Sequence, residues 1–558
     1  MPGSSRTAAR LDRRALLTTS LATLTAACVT CPPLARSKAP AAPKISDAHC
    51  HLFNAADLPI AGFLNFVVIP EYLPHVPEVA LALIDSAVTV LKEMACPAAD
   101  ESGGRVHDAT PLEFANRLAD RIDAEAGPSP VAALDTAAVS DLARSYATLA
   151  VLLRRSQPGA APLAFTDPRK VDRRHLARIA VMGREAARSE VGVAEALGSH
   201  SAVGPASAAR TSDDLGAVWD TIKWCYEMVL PRCRHVRDYL ATMSEPSQDT
   251  DLLVNLLVDY DTWLGDRPSD GSAMHDQLRF WSAYSRSVAG RIDLRTFAGY
   301  DPLRHAEERI AGQGGSEYWK GLTSAVEPGP AVEPALAWGF KIYPPMGFKV
   351  IGNTGDEPAK DRSGALVDAR WKARGWKNFG AELDAALDQF FDHCARRRIP
   401  VIAHGCHSQE ASSKTGAFAN PRYWFERAQW ALAKGLPPLR ASIAHWTETK
   451  EFEEYVPRIL TMNVRGESDI FFDISYTREF LGDGGPGFLS KLMDLYAPIE
   501  AGGHWLMFGS DWIMLGRESG VQRYTANAVA AMTSIPWWRD RRQLVLHDNL
   551  RRFLSRQP

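Results

Sequence analysis

The chain has 558 residues, enough for two domains or for one large barrel with insertions. A hydrophobic share of 46% and a charged share of 23% exclude global disorder. A net charge of −3, from 63 basic and 66 acidic side chains, excludes the strongly basic footprint of a nucleic-acid binder. Eight cysteines in this length do not form a disulfide framework, and without a recurring C-x-x-C pair they do not suggest a cysteine-type zinc site.

The first 43 residues read as a leader and linker. Arg13-Arg14 precede the apolar run Ala15 to Ala27, which is too short to span a bilayer and has the layout of a secretory signal. The paired arginines resemble a twin-arginine signal, so the expected location is the bacterial periplasm or the extracellular space. Thr25-Ala26-Ala27-Cys28 misses a lipoprotein box by one position, which argues against lipidation of Cys28. Pro32, Pro33, Pro40 and Pro43 mark a linker.

Residues 44–54 contain Asp47-Ala48-His49-Cys50-His51, expected as a first strand. Strict alternation puts Asp47, His49 and His51 on one face, where two imidazoles can chelate one divalent cation. The same alternation turns Cys50 towards a layer of helices and leaves Asp47 as a supporting residue. Residues 55–250 then lack strand signals. Val79 to Met94, Leu112 to Ala124, Ala132 to Arg155, Val171 to Gly198 and Trp219 to Met243 carry helical periodicity, and the whole is expected to be a helical insertion able to cap a pocket.

From residue 251 to 556 strands and helices alternate. Strands are expected near 254, 297, 340, 402, 443, 472 and 507, with helices between them, including a clear amphipathic one at Ala381 to Arg397. With the first strand the count is eight, which predicts an α/β fold, a parallel (β/α)8 TIM barrel with chemistry at the C-terminal strand ends. Polar residues close the apolar runs: Lys341 the fourth, His404 the fifth, His445 the sixth, and Asp511 the eighth after Gly509-Ser510. Together with His49 and His51 they define a rim. Imidazole and carboxylate donors suit Zn²⁺ or another first-row divalent ion, with a position left open for water and either Asp511 or His445 as the base. His407, three residues beyond His404, and Arg465, near the seventh strand, are further candidates for substrate binding.

The first-strand motif, Gly339-Phe340-Lys341-Ile342-Tyr343-Pro344-Pro345, the two strand-end histidines, Gly509-Ser510-Asp511-Trp512 and Asp548-Asn549-Leu550-Arg551-Arg552-Phe553, in that order, resemble the amidohydrolase superfamily. The nearest branch is the amidohydrolase-related group that includes aminocarboxymuconate-semialdehyde decarboxylase. The resemblance implies His49, His51, His404 and Asp511 as metal ligands, with His445 contacting substrate or serving as acid/base. It implies one metal, taken as Zn²⁺, with Lys341 binding a substrate carboxylate rather than bridging two ions. The implied function is a metal-dependent hydrolase whose activated water attacks an amide, ester or lactone bond of a small molecule. The alternative is a metal-dependent decarboxylase of an unsaturated or aromatic acid. A non-catalytic binding barrel is disfavoured by the complete ligand set. The family has no counterpart of the helical insertion, and no membrane span is expected.

Overall fold

Eight short apolar runs form eight parallel strands whose order in the sheet follows the chain. They are β1 (Lys44–Cys50), β2 (Asp249–Leu256), β3 (Asp293–Gly299), β4 (Gly339–Ile342), β5 (Val401–His404), β6 (Arg440–Ala444), β7 (Asp469–Asp473) and β8 (Leu506–Met507). The structure is a computed structural model that describes residues 44–69, 87–105, 113–114, 117–118, 121, 224–243, 249–261, 264, 272–312, 317–327, 335–354, 379–406, 415–447, 449–518 and 520–555. The expected leader and linker, His407, and the helices expected at Ala132 to Arg155 and Val171 to Gly198 lie outside the described residues.

The sheet curls until its first and last strands meet. Ala48 N–H donates to Phe508 O at 2.9 Å, Asp511 N–H donates to His49 O at 2.7 Å, and Cys50 bridges in parallel to Trp512. The expected (β/α)8 barrel is therefore the observed one. Its interior is filled by Ala48, Leu252, Val254, Leu256, Phe297, Ile402, Ala444, Phe471 and Met507, a packed core rather than a pore. The last helix plugs the N-terminal end, where Phe553 packs 5.1 Å from Phe471 and 6.5 Å from Phe297.

The outer layer holds α1 (Arg232–Met243), α2 (Met274–Val288), α3 (Pro302–Ile310), α4 (Glu317–Val326), α5 (Phe379–Arg397), α6 (Pro421–Ala433), α7 (Lys450–Val464), α8 (Gly485–Tyr496), α9 (Tyr524–Ser534), α10 (Pro536–Gln543) and α11 (Asn549–Leu554). Local chemistry sets their starts. Asp301 and Asn420 cap α3 and α6 by accepting from the N–H of the second residue of each helix, Leu303 and Arg422, with a proline at the first position. The apolar stripe of α5, Leu383, Leu387, Phe390, Phe391 and Cys394, is fully buried against the barrel. The sequence pattern missed α4, because Gly312 and the glycines that follow it read as a break. None of the described helices is long and apolar enough to cross a membrane.

The described parts of the insertion belong to the same core as the barrel. Phe63, Trp224, Val236 and Tyr239 are buried in one continuous hydrophobic cluster with the outer faces of the strands. A buried polar knot ties them together. Arg232 on α1 donates to Asp57 at 2.5 and 3.0 Å, to Glu101 at 2.6 Å, to Asn54 at 3.1 Å and to Ser272 at 2.8 Å.

Strand β1 is not regular. Asp47 pairs with Leu253 but Cys50 pairs with Asn255, so three steps on β1 oppose two on β2. This is a bulge, and it breaks the strict alternation expected from the sequence. Ala48 points into the barrel and Asp47 outwards to α1, while His49 still turns inwards. The expectation that Asp47 shares a face with His49 and His51 is corrected accordingly. Cys50 is fully buried in the barrel–helix layer, as alternation from His49 onward requires.

Candidate metal centre

The bulge delivers His49 and His51 to the C-terminal mouth of the barrel, where the other strand ends meet them. His49 Nδ1 lies 3.3 Å from Asp473 Oδ2, on β7. A carboxylate only accepts, so Nδ1 carries the proton and Nε2 presents a lone pair. His51 Nδ1 lies 2.7 Å from Leu256 O at the end of β2, which fixes its lone pair on Nε2 in the same way. Both Nε2 atoms face Asp511 Oδ1, at 3.5 and 3.4 Å. The ligand atoms of His49, His51 and Asp511 all lie within 4.8 Å of one another.

The electrostatics sharpen this arrangement. Burial, then the nearby Lys341 charge, holds His49 well below its ordinary value of 6.5. The same two causes pull His51 down to about 3. Both are neutral at physiological pH, so neither has a proton to offer Asp511. Three acceptor atoms converge, and a cation is what satisfies such a set. Lys341 supplies part of that charge. It is 1% exposed, and its Nζ donates to His49 Nε2 at 3.1 Å.

His404 and His445 stand beside this group. His404 stacks on Tyr343 at 4.2 Å, and its ring lies 4.7 Å from that of His445. Its Nε2 lies 3.0 Å from Cys406 Sγ, and its buried Nδ1 has no hydrogen-bond partner among the described residues. His445 lies 4.5 Å from the His49 ring, and its Nδ1 is 2.9 Å from Ser475 Oγ. Ser475 Oγ in turn donates to Asp473 Oδ1. The hydroxyl proton thus goes to the carboxylate, His445 Nδ1–H goes to the hydroxyl oxygen, and His445 Nε2 keeps its lone pair. Burial, then neighbouring charges, keeps both histidines well below 6.5.

The backbone is unusual at the two closing positions. His445 and Asp511 take positive φ, 60° and 62°, where residues with a Cβ are seldom found. Such strain persists only when its surroundings hold it. Asp473 Oδ1 accepts from His445 N–H at 3.1 Å, and His49 O accepts from Asp511 N–H at 2.7 Å. Gly509 permits the approach, since a Cβ there would lie 2.9 Å from the Cβ atoms of both His49 and Ser475.

Asp473 was missed by the sequence reading, although Ile470-Phe471-Phe472-Asp473 carries the signature that exposed His404 and His445: an apolar run closed by a polar residue. Arg465 is corrected in the other direction. It is exposed at the C-terminal end of α7, which leads into the start of β7, so it sits at the opposite end of the barrel from the mouth. Proximity to a strand in sequence does not distinguish its two ends.

The fold and this site define a (β/α)8 barrel with a candidate centre for a divalent cation at its mouth. No known family profile matches the chain, and no curated protein matches it. Among solved structures, a protein from Lactobacillus casei ATCC 334 provisionally assigned as a metal-dependent hydrolase aligns with 64% of this chain and 82% of its own. The identity is 15% and the TM-score 0.33, a likeness too distant to define kinship.

Proposed function

We propose that the protein is a metal-dependent hydrolase of the amidohydrolase type, acting on an amide, ester or lactone bond of a small molecule. One observation carries this reading: the Nε2 lone pairs of two neutral histidines converge on Asp511 Oδ1 at the C-terminal mouth of the barrel. His49, His51 and Asp511 would hold the ion. His404, whose buried Nδ1 lacks a partner among the described residues, is the fourth candidate ligand. The mixed imidazole and carboxylate set suits one Zn²⁺.

A divalent ion bound there supplies Lewis acidity, lowering the pKa of a water and polarising the scissile carbonyl. Asp511 would take one proton from the attacking water and pass the same proton to the leaving group, and His445 Nε2, kept as a lone pair by the Ser475–Asp473 chain, is the alternative base for that transfer. Lys341 Nζ, which meets His49 Nε2, would also offer a charge to oxygen on the substrate or on the transition state.

The test is metal analysis of the purified protein, followed by a screen of lactones, esters and amides. One tightly held divalent ion is expected in the wild type and none in His49→Ala or His51→Ala, with turnover lost in both. A full equivalent of metal in both variants would sink the ligand assignment. Lys341 also favours a second reading, decarboxylation, since a buried cation beside the ligands suits a substrate carboxylate. Release of CO₂ from an aromatic acid without incorporation of labelled water would select it over hydrolysis.

A further inference from the structure

The part of the insertion that re-enters the barrel wall reaches the candidate centre from behind. Tyr239 on α1 is 1% exposed, and its hydroxyl donates to Asp47 Oδ2 at 2.9 Å. Asp47 Oδ1 accepts from His49 N–H at 2.9 Å and from Ser510 N–H at 3.0 Å. One carboxylate therefore ties the backbone of the first ligand to the residue just before Asp511. The ring of Tyr239 packs edge-on, 6.1 Å from Trp512, the residue just after Asp511. Tyr239 thus touches both flanks of the ligand pair, and the bulge in β1 is what turns Asp47 outwards to meet it.

We infer that Tyr239 is a positioning residue for the metal centre, and that through it the helical insertion sets how tightly the barrel holds its ion. The inference rests on the metal-binding reading above. The physical route is short. Without the tyrosine hydroxyl, Asp47 Oδ2 loses a buried partner, the carboxylate is free to rotate, and the His49 and Ser510 N–H groups lose a fixed acceptor. His49 and Asp511 then keep their identities but lose their spacing. Groups that orient ligands in this way typically change metal affinity 10- to 100-fold when removed.

The experiment uses the full chain, stripped of metal, titrated with Zn²⁺ against a chromophoric chelator and with Co²⁺ followed by visible absorption. Tyr239→Phe is expected to bind about tenfold more weakly than wild type, with an altered Co²⁺ spectrum. Tyr284→Phe removes another buried hydroxyl, on α2, which donates to Cys233 O, and is expected to leave affinity and spectrum unchanged. In an Asp47→Ala background, Tyr239→Phe should add nothing, because the route of its hydroxyl to the ligands is gone. Equal affinity and spectrum for Tyr239→Phe and wild type overturn the inference. So does equal weakening in Tyr284→Phe, which would signal general loosening. If Tyr239→Phe does not fold, Asp47→Ala alone decides: about tenfold weaker binding supports the inference, and unchanged affinity overturns it. A wild type that takes up neither ion overturns the metal reading and this inference with it, an outcome distinct from equal binding.

Discussion

Two buried ionic clusters flank β1, and they are built on opposite principles. In the knot around Arg232, donors meet acceptors: one guanidinium is divided among two carboxylates, an amide oxygen, a hydroxyl and the Cys96 carbonyl. In the mouth cluster, lone pairs gather on one another, because hydrogen bonds from behind have already used the Nδ1 protons of His49 and His51, and the Lys341 ammonium meets them at His49 Nε2. The first arrangement is complete as it stands and joins the insertion to the barrel. The second gathers lone pairs around the Lys341 ammonium, a set that a divalent cation would also satisfy. Burial alone does not separate a structural cluster from a functional one; the count of protons against lone pairs does.

The sharpest way to break this comparison is to remove Arg232. Although burial works against its charge, Asp57 and Glu101 hold it above its ordinary value. Arg232→Met leaves two buried carboxylates without their cation, and such uncompensated charges typically cost about 3–5 kcal/mol. The expected outcome is a large fall in the denaturation midpoint, with metal stoichiometry retained in whatever protein remains folded. A variant that unfolds like wild type would show that the knot contributes little.

The knot also predicts a pH dependence. Burial, and secondarily the Asp57 charge, push Glu101 from 4.5 up to about 7, with Arg232 offsetting only part of the rise. A carboxyl raised in the folded state binds more protons there than in the unfolded chain. Its contribution is therefore fully present below about pH 4.5 and is lost as the pH rises through about 7. The loss amounts to up to about 3 kcal/mol across that window. Urea denaturation of metal-free protein at a series of pH values should reveal it, and Glu101→Gln should flatten that component. An equal slope in the variant would assign the dependence to other groups.

Much of this molecule was legible in its sequence, for a simple reason. Most barrel strands are apolar runs between turn signals, and at the mouth several of them close on a polar side chain. That rule placed β1 to β8 and brought His49, His51, His404, His445, Lys341 and Asp511 to one end. What escaped it are relations between distant segments. The slip between Asp47 and Cys50 exists only relative to β2, so strict alternation assigned Asp47 to the wrong face. Tyr239 lies 192 residues from its partner Asp47, on a helix whose pattern announces only an apolar face. Arg465 failed because a strand's two ends look alike until its direction in the barrel is known. Asp473 was within reach of the rule and was passed over because an acid at a strand end also reads as an ordinary turn residue.

Asp473 offers the smallest and most discriminating test of the contrast between the two clusters. It is fully buried and spends its two oxygens differently: Oδ2 orients His49, while Oδ1 serves His445 N–H, Ser475 N–H and the Ser475 hydroxyl. Asp473→Asn keeps the shape but puts an amide group, which donates, on one side. Whichever way the amide settles, one set of donors loses its acceptor. If the NH₂ group faces His49, the Nδ1 proton has no acceptor, the imidazole shifts its proton to Nε2, and the lone pair facing Asp511 disappears. Metal affinity should then fall by a factor of about 10 to 100, measured by chelator competition. If the NH₂ group faces Ser475, metal affinity should hold while His445 loses its fixed tautomer, visible in the ¹⁵N shifts of its ring. Wild-type metal affinity together with wild-type His445 shifts would mean that the mouth cluster does not depend on its proton arrangement, and the distinction between the two clusters would fall.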